Sequence, residues 1–547
     1  MRHLWPLLAP FLLLCACQHH QASSDAGGGI AAAPVFGDHD FSPGIMASDV
    51  AQHVKALSSD ALLGRTTGGE AERRTTDYLV HQFMRMGLVP GNGANWLQAV
   101  PYVAATVQHP EQVALAIDGR DGHAALDFGK DMVVGTLDEE PHAALVDSPL
   151  VFVGYGIDAP SESWNDYAGL DLRGKTVVIL VNDPGWANQD PKLFKGREYT
   201  YVGRWTYKFE EAAREGAAAA FIVHDADAAG YPWAVVRRRW SGTRLDLPKT
   251  EEGVRRLPVA GWLTTEAARR LFAQAGADFD TLKRQAAQRG FAAVPLHASL
   301  STAFDSAIAR GESHNVVARL DGKTQAGEAI VYSAHWDHLA PGGEPRGTVD
   351  NATGVAGLLE IAEAFTHRAP KPHRTVLFLA STLDESGLLG SRYYVAHPVV
   401  PLTRTVADIN LDMLPMDGPA SALSVIGFGQ SQLDDYVKDA AHVQHRAVMP
   451  DLAPEKGFFF RSDQLSFARA GVPVLYVRSA ATRADAEPSG GDTPPASDAF
   501  DPHGDLSGAV EDIRALFMVG SRLSVEDSYP QWKPGSDFHR PDSMRGL

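Results

Sequence analysis

Cysteine is almost absent from this sequence of 547 residues. Its two cysteines, Cys15 and Cys17, both lie close to the first residue. The rest of the chain therefore offers no internal disulfide and no thiolate ligands for a metal site. A metal ion, if one is bound, has to be held by histidine and carboxylate side chains.

An excess of positive charge is also lacking, because 67 acidic residues outweigh 49 basic ones and give a formal charge of −18. A nucleic-acid-binding protein needs a basic face, and the short arginine cluster at residues 237–239 does not provide one. Nucleic acid is therefore excluded as an expected partner. The hydrophobic fraction of 44% is that of a globular protein.

A long apolar run is missing at the start of the chain, where residues 4–14 are too few to span a bilayer. We expect residues 1–17 to be a signal peptide. Its end, Leu14-Cys15-Ala16-Cys17, resembles a bacterial lipobox with Cys17 as the lipidated residue. This predicts an exported protein anchored to the cell envelope through Cys17 alone, in the outer membrane and facing the periplasm; ordinary secretion is the alternative.

The remaining chain divides by composition. Residues 18–45 are rich in Gly, Ala and Ser, which is typical of a flexible tether. Buried strand patterns alternating with helical patterns predict an α/β fold with a mostly parallel sheet flanked by helices. We assign 46–140 and 301–530 to this main domain, 141–300 to a smaller inserted βαβ-containing domain, and 531–547 to a C-terminal tail.

Histidines and acidic residues follow the apolar runs of the main domain in four clusters, at residues 334–338, 348–355, 382–391 and 408–413. Sites in parallel sheets lie at the carboxyl ends of strands, so we expect these clusters to meet. Such ligands suit Zn²⁺ or another divalent ion. A dication would also let the adjacent Asp384 and Glu385 stay ionised.

Each cluster taken alone has a structural explanation. A single histidine near a strand end is more often structural than a ligand, and Asp350-Asn351 before an apolar run can cap a helix. Asp384 and Glu385 could lie in an exposed loop. Four such coincidences in one predicted sheet favour a metal site.

The order and the residue sequences of these clusters resemble those of the di-zinc exopeptidases, a family that includes bacterial leucyl aminopeptidase, aminopeptidase Y and glutamate carboxypeptidase. The motifs that carry the resemblance are Ser333-Ala334-His335-Trp336-Asp337-His338-Leu339, Val349-Asp350-Asn351-Ala352-Thr353-Gly354 and Asn410-Leu411-Asp412-Met413. The segments 58–68 and 172–178 resemble the opening segment and the protease-associated insert of that family. The resemblance implies a zinc exopeptidase fold with a protease-associated domain inserted.

Carried over by position, the resemblance implies a role for each site residue. His335 and Asp412 would bind one zinc, Glu385 the other, and Asp350 both. Asp337 would orient the His335 imidazole. Asp384 would stand at the position of the general base.

Two positions depart from the family pattern. The base is usually glutamate, and Asp384 is one methylene shorter. The last ligand, a histidine before a Ser-Asp…Asp-Pro frame, is replaced by Pro494, which cannot bind a metal. His503 or Asp492 could substitute, or His503 could be a solvated loop residue, so one or two zinc ions per chain are expected.

The resemblance implies a zinc-dependent exopeptidase, most often an aminopeptidase, that hydrolyses terminal peptide bonds of peptide substrates with a metal-activated water. The alternative is a degenerate, non-catalytic lipoprotein that binds peptides or proteins. The displaced histidine and the aspartate at the base position favour that alternative.

Overall fold

The computed structural model describes residues 39–338, 347–480, 498 and 500–541. The predicted signal peptide with Cys17, most of the tether, and Asp492 and Pro494 lie outside these residues. Within the described ranges, no helix is both long enough and apolar enough to cross a membrane.

The structure contains strands and helices in alternation over most of its length. The strands are β1 (Val89–Pro90), β2 (Leu97–Val107), β3 (Ala114–Gly119), β4 (Gly122–Asp127), β5 (Met132–Gly135), β6 (His142–Phe152), β7 (Asp158–Ala159), β8 (Trp164–Asn165), β9 (Thr176–Leu180), β10 (Ala219–His224), β11 (Arg244–Asp246), β12 (Val259–Thr264), β13 (Val294–Leu320), β14 (Gln325–His335), β15 (Arg374–Ser381), β16 (Thr405–Asn410), β17 (Ala422–Val425), β18 (Ala447–Pro450) and β19 (Val474–Ser479). The helices are α1 (Ala47–Leu57), α2 (Gly69–Arg85), α3 (Pro184–Asn188), α4 (Trp205–Arg214), α5 (Ala226–Ala229), α6 (Trp233–Ser241), α7 (Lys249–Glu252), α8 (Thr265–Gln274), α9 (Phe279–Ala286), α10 (Thr353–His367), α11 (Leu389–Ala396), α12 (Leu433–Val443), α13 (Gln464–Arg469) and α14 (Ser507–Leu523).

The main sheet is parallel at its centre and mostly antiparallel towards its edges. Strands β15, β14, β16 and β19 lie side by side in that order and run parallel. On one side β13 pairs antiparallel with β15, and β2 pairs antiparallel with β13. On the other side β17 pairs antiparallel with β19 and carries β18 parallel to itself. The predicted α/β fold with a mostly parallel sheet is confirmed.

Helices cover both faces of this sheet because its central strands are apolar on both sides. In β14, Ile330 and Tyr332 point into a core built with α1, α2, α10 and α14, whereas Val331 points into one built with α11 and α13. Phe83 of α2 packs on Phe378 of β15 with ring centroids 6.3 Å apart. Each such buried side chain stabilises the fold by about 1.5–3 kcal/mol.

A second sheet lies in the order β4, β3, β13, β6, β9, β10, β12, β5. Its β9-α4-β10 segment is a βαβ unit, as the sequence indicates. The sheet already begins with β3, ahead of the expected boundary at residue 141, because β3 and β4 alternate exposed and buried residues and lack the apolar run that marks the later strands. The domain bounds remain a prediction.

The two sheets share β13, whose first part pairs with β6 and β3 and whose last part pairs with β2 and β15. Further contacts join the second sheet's helices and loops to the main domain. Arg392 of α11 donates to Glu252 at 2.6 Å and lies 3.0 Å from Asp246. The Tyr199 backbone N–H donates to the Pro454 carbonyl at 3.0 Å.

Helix α10 carries a buried acid, Glu360, against α1 and the segment before it. The Glu360 side chain is 1% exposed, and its Oε1 lies 3.6 Å from His53 Nε2. Its Oε2 accepts the backbone N–H of Met46 at 3.3 Å. Burial raises the pKa of Glu360 to about 8, and burial lowers the pKa of His53 to about 3. Both side chains are therefore neutral near pH 7.

Glu360 should make the folded state less stable as pH rises. The folded chain keeps the Glu360 proton up to about pH 8, whereas the unfolded chain releases it near its usual pKa of 4.5. Unfolding therefore releases a proton inside this window, and stability falls with rising pH by up to about 1.4 kcal/mol per pH unit. Below about pH 6.5 the lowered pKa of His53 gives the opposite slope, because the unfolded chain takes up a proton that the folded chain does not. We therefore expect Glu360→Gln to flatten the fall in stability between about pH 7 and 8, where His53 is neutral in both states.

Urea unfolding of chelator-treated wild type and variant at several pH values measures this slope, and treatment with chelator removes the pH dependence of metal binding. Glu266→Gln is the matched control, because that side chain is 78% exposed. Equal slopes for wild type and Glu360→Gln would contradict the assignment.

Candidate metal centre

The predicted site residues converge at the carboxyl edge of the main sheet. His335 is the last residue of β14, Asp384 and Glu385 follow β15, and Asp412 follows β16. Because these three strands are parallel neighbours, their carboxyl ends meet. Asp350 joins them from the turn that precedes α10.

The His335 imidazole is the centre of this cluster. Its Nε2 lies 3.2 Å from Asp350 Oδ1, 3.5 Å from Asp412 Oδ1 and 4.0 Å from Asp384 Oδ2. The candidate ligand atoms of His335, Asp350 and Asp412 all lie within 4.8 Å of one another. The histidine side chain is 2% exposed, so the group is closed to bulk solvent on that side.

Asp337 contacts His335 differently from what the sequence suggests. The His335 Nδ1 is 3.1 Å from the Asp337 main-chain oxygen and 3.7 Å from its carboxylate. The carboxylate accepts the backbone N–H of Asp384 at 3.1 Å. Asp337 therefore orients the imidazole through its carbonyl and fixes the Asp384 loop through its side chain.

Asn351 ties the turn carrying Asp350 to the loop carrying Asp412. Its Oδ1 accepts the N–H of Gly354, in the first turn of α10, at 3.0 Å, and also the N–H of Met413 at 3.1 Å. Its Nδ2 donates to the Leu411 carbonyl at 3.0 Å. One buried amide thus sets the distance between two of the candidate ligands.

His338 is a member of the site that sequence reasoning did not single out. Its side chain is fully buried, and its Nδ1 lies 3.4 Å from Glu385 Oε1. The signal available in the sequence was a second imidazole three residues after His335, beyond the end of the strand. That signal is weak, because a histidine after a strand is more often structural than a ligand.

The structure does not bring His503 into this group. His503 is exposed, and its backbone N–H donates to Asp501 Oδ1 at 2.8 Å. Asp498 in the Ser-Asp frame turns its carboxylate to the N–H groups of Val349 and Asp350, at 2.7 and 3.3 Å. Asp498 therefore supports the turn before α10.

Burial and mutual repulsion control the ionisation of the cluster. Burial raises the pKa of Asp384 well above its usual value; the charge of His335 opposes this shift, and the charge of Asp463 adds to it. Burial and the charge of Asp350 raise the pKa of Glu385. Burial alone would lower the pKa of His335, but the surrounding carboxylates, Asp384 first, hold it well above the usual value.

These residues fit a divalent cation. Several of their atoms are buried and have no hydrogen-bond partner within the described residues: Asp384 Oδ1, Glu385 Oε1, Asp412 Oδ1, and both ring nitrogens of His338. Unpaired buried polar atoms are costly, about 1–3 kcal/mol each, unless a ligand satisfies them. Imidazole nitrogens and carboxylate oxygens together form the donor set that zinc prefers among protein side chains other than thiolates.

Arg65 supports the site from behind, where sequence reasoning assigned it no role. Its side chain is completely buried and donates to three carbonyls, those of Leu57 at 2.7 Å, Trp336 at 2.9 Å and Gly347 at 2.6 Å. Trp336 and Gly347 belong to the loops that carry His335 and Asp350. Arg65 therefore joins both loops to the end of α1. It belongs to the segment 58–68, which resembles the opening segment of the family.

A comparison with protein families matches the part of the chain that carries this site. The segment 315–502 matches Peptidase family M28. It contains all of the clustered residues described above. The resemblance to di-zinc exopeptidases inferred from the sequence is thereby confirmed for this segment.

Individual curated relatives match only short stretches of the chain. The chain is 36% identical over 109 residues to a vacuolar membrane protease of Saccharomyces cerevisiae (strain YJM789), which covers 20% of this chain and 10% of that protein. A vacuolar membrane protease of Clavispora lusitaniae is 34% identical over 87 residues, or 16% of this chain and 8% of that protein. The chain thus spans about a tenth of the length of the curated relatives it matches.

Two solved structures align over most of the chain at low identity. An aminopeptidase from Aneurinibacillus sp. strain AM-1 is 18% identical with a TM-score of 0.48, covering 90% of this chain and 95% of that one. A zinc aminopeptidase from Bacillus subtilis is 17% identical with a TM-score of 0.43, covering 92% and 99%.

Arg65→Met should destabilise the protein and weaken metal binding. The change leaves three buried carbonyls unpaired at about 1–3 kcal/mol each, so we expect the free energy of unfolding to fall by roughly 3 kcal/mol or more. Loss of support for the two loops should weaken zinc binding by about 10- to 100-fold. Urea unfolding and competition with a zinc chelator measure the two effects.

Arg173→Met is the matched control, because the Arg173 side chain is 84% exposed. Arg65→Lys keeps the charge but offers no planar fork, so its effects should fall between those of wild type and Arg65→Met. Unchanged zinc affinity in Arg65→Met would show that the loops do not depend on this residue.

Proposed function

We propose that this protein is a zinc-dependent exopeptidase that removes residues from the amino terminus of peptides. The observation that carries the proposal is the grouping of His335, Asp350 and Asp412 within the segment that matches Peptidase family M28. Zinc is supported by the donor set. The excess of carboxylates around these residues supports recognition of a positively charged substrate terminus, because a free amino group is attracted to such a site.

Zinc bound among these residues would supply Lewis acidity, which lowers the pKa of water and polarises a peptide carbonyl. The chain itself supplies a proton carrier. Asp384 Oδ2 lies 4.0 Å from His335 Nε2, at the rim of the ligand cluster. From there its carboxylate can accept the proton of the attacking water and return it to the leaving amine.

The backbone around Asp384 keeps this carboxylate in place. Its own N–H is held by Asp337, and its carbonyl accepts the N–H groups of Gly387 and Leu388, both at 2.9 Å. These bonds fold the loop after β15 into a tight turn before α11. A fixed loop supports the assignment of Asp384 as the base, because the shorter aspartate side chain has less freedom to adjust its position.

The cellular setting is proposed from the sequence alone. A lipid anchor at Cys17 would attach the protein to the cell envelope, with peptides reaching the site from the periplasm. Support comes from the lipobox-like segment and the composition of residues 18–45.

Asp384→Asn should lower the turnover of aminoacyl-arylamide substrates by roughly 10²- to 10⁴-fold, because the amide cannot accept a proton. Zinc content should not change, since the variant keeps His335, Asp350, Glu385 and Asp412. Turnover and elemental analysis of the same preparation provide the two measurements.

Asp384→Glu retains a carboxylate and should keep a substantial part of the turnover. Asp527→Asn is a matched control, because Asp527 is exposed and bonds only Gln325 among the contacts of the described residues. Full turnover in Asp384→Asn would remove Asp384 from the proposed mechanism, and an inactive, zinc-loaded wild type would favour the non-catalytic alternative.

A further inference from the structure

His338 is a buried imidazole whose ring nitrogens have no hydrogen-bond partner among the described residues. Its side chain is fully buried, and within the described ranges neither ring nitrogen meets the geometry of a hydrogen bond. A histidine retained only for packing would normally bond at least one nitrogen, since an unpaired buried polar atom costs about 1–3 kcal/mol. Two such atoms on one ring require another explanation.

Glu385 provides an oxygen that could share an ion with the His338 imidazole. Its Oε1 is also buried without a hydrogen-bond partner in the part of the chain that the structure describes, and it lies 3.4 Å from His338 Nδ1. Two donor atoms that each lie about 2.0–2.2 Å from a tetrahedral zinc ion are themselves about 3.4 Å apart. The separation of these atoms is that of two ligands of one ion.

The pair lies next to the His335 group. His335 and His338 are three residues apart, and Glu385 directly follows Asp384. Asp350 interacts electrostatically with both histidines and with Glu385. Its carboxylate has two oxygens, one of which is directed to His335, so it can be shared between two ions.

The family pattern has an imidazole as the last ligand, at a position where this sequence has Pro494. Pro494 has no donor atom, His503 is exposed, and the Asp498 carboxylate is used by backbone N–H groups. His338 is the histidine that the structure places beside Glu385. We propose that His338 replaces the displaced histidine and, with Glu385 and a shared Asp350, holds a second divalent ion. This inference rests on the proposed zinc-dependent function.

Metal counting on the purified chain tests the proposal. After removal of metal with a chelator and reloading with Zn²⁺, wild type should hold two zinc ions per chain by elemental mass spectrometry. His338→Ala and His338→Gln should hold one, with the affinity for the second ion reduced at least about 10- to 100-fold. His503→Ala, the matched control, should keep two.

Three results would overturn the proposal: one zinc ion in wild type, two ions with unchanged affinities in the His338 variants, or loss of the second ion in His503→Ala. Wild-type hydrolysis of aminoacyl-arylamides tests the proposed function separately. An active enzyme whose His338 variants keep both ions contradicts only the inference. An inactive protein that loses one ion in those variants contradicts only the proposed function.

Zinc-edge X-ray absorption of the wild type provides a test that does not depend on the folding of any variant. If His335 and His338 each bind one ion, the spectrum should show about one imidazole nitrogen per zinc. Half that value at two zinc ions per chain would mean that only one histidine binds metal and would overturn the assignment of His338.

Discussion

Carboxylates crowd the carboxyl edge of the main sheet, and their mutual repulsion in a buried place is the constraint on which the site depends. Asp384, Glu385 and Asp463 all have raised pKa values, burial being the first cause in each case. A fold would not gather such groups for its stability alone, because burial of unpaired charge is unfavourable. Cations among the carboxylates turn the repulsion into attraction, and the imidazoles of His335 and His338 complete the donor set.

The scaffold around the cluster follows from that constraint, because loops that repel one another must be held by other bonds. Arg65, Asn351 and Asp498 do this through contacts with backbone groups: Arg65 with carbonyls, Asp498 with N–H groups and Asn351 with both. None of the three belongs to the candidate ligand group. Their bonds define where the loops lie before any ion binds, and such preorganisation strengthens binding by reducing its cost in conformational entropy.

The sequence predicted the sheet and most of the cluster, because apolar runs identify buried strands and the residues after parallel strands must share an edge. The apolar run after Asp350-Asn351 forms a helix, α10 at Thr353–His367. The roles of His338 and Arg65 could not be predicted, since burial and hydrogen-bond partners arise from tertiary contacts between distant segments. The early start of the second sheet was missed because β3 and β4 have half-exposed patterns.

Because both sheets share β13, the unit that folds together is larger than the segment matched by the family. The family match begins at residue 315, inside the run from Ser306 to Val316 over which β13 pairs with β2. A fragment cut at that point would expose the free edge of the sheet and lose α1 and α2, which shield one of its faces. The family match therefore outlines the segment that carries the candidate ligands, whereas the sheet around them is completed by strands and helices from well upstream of it.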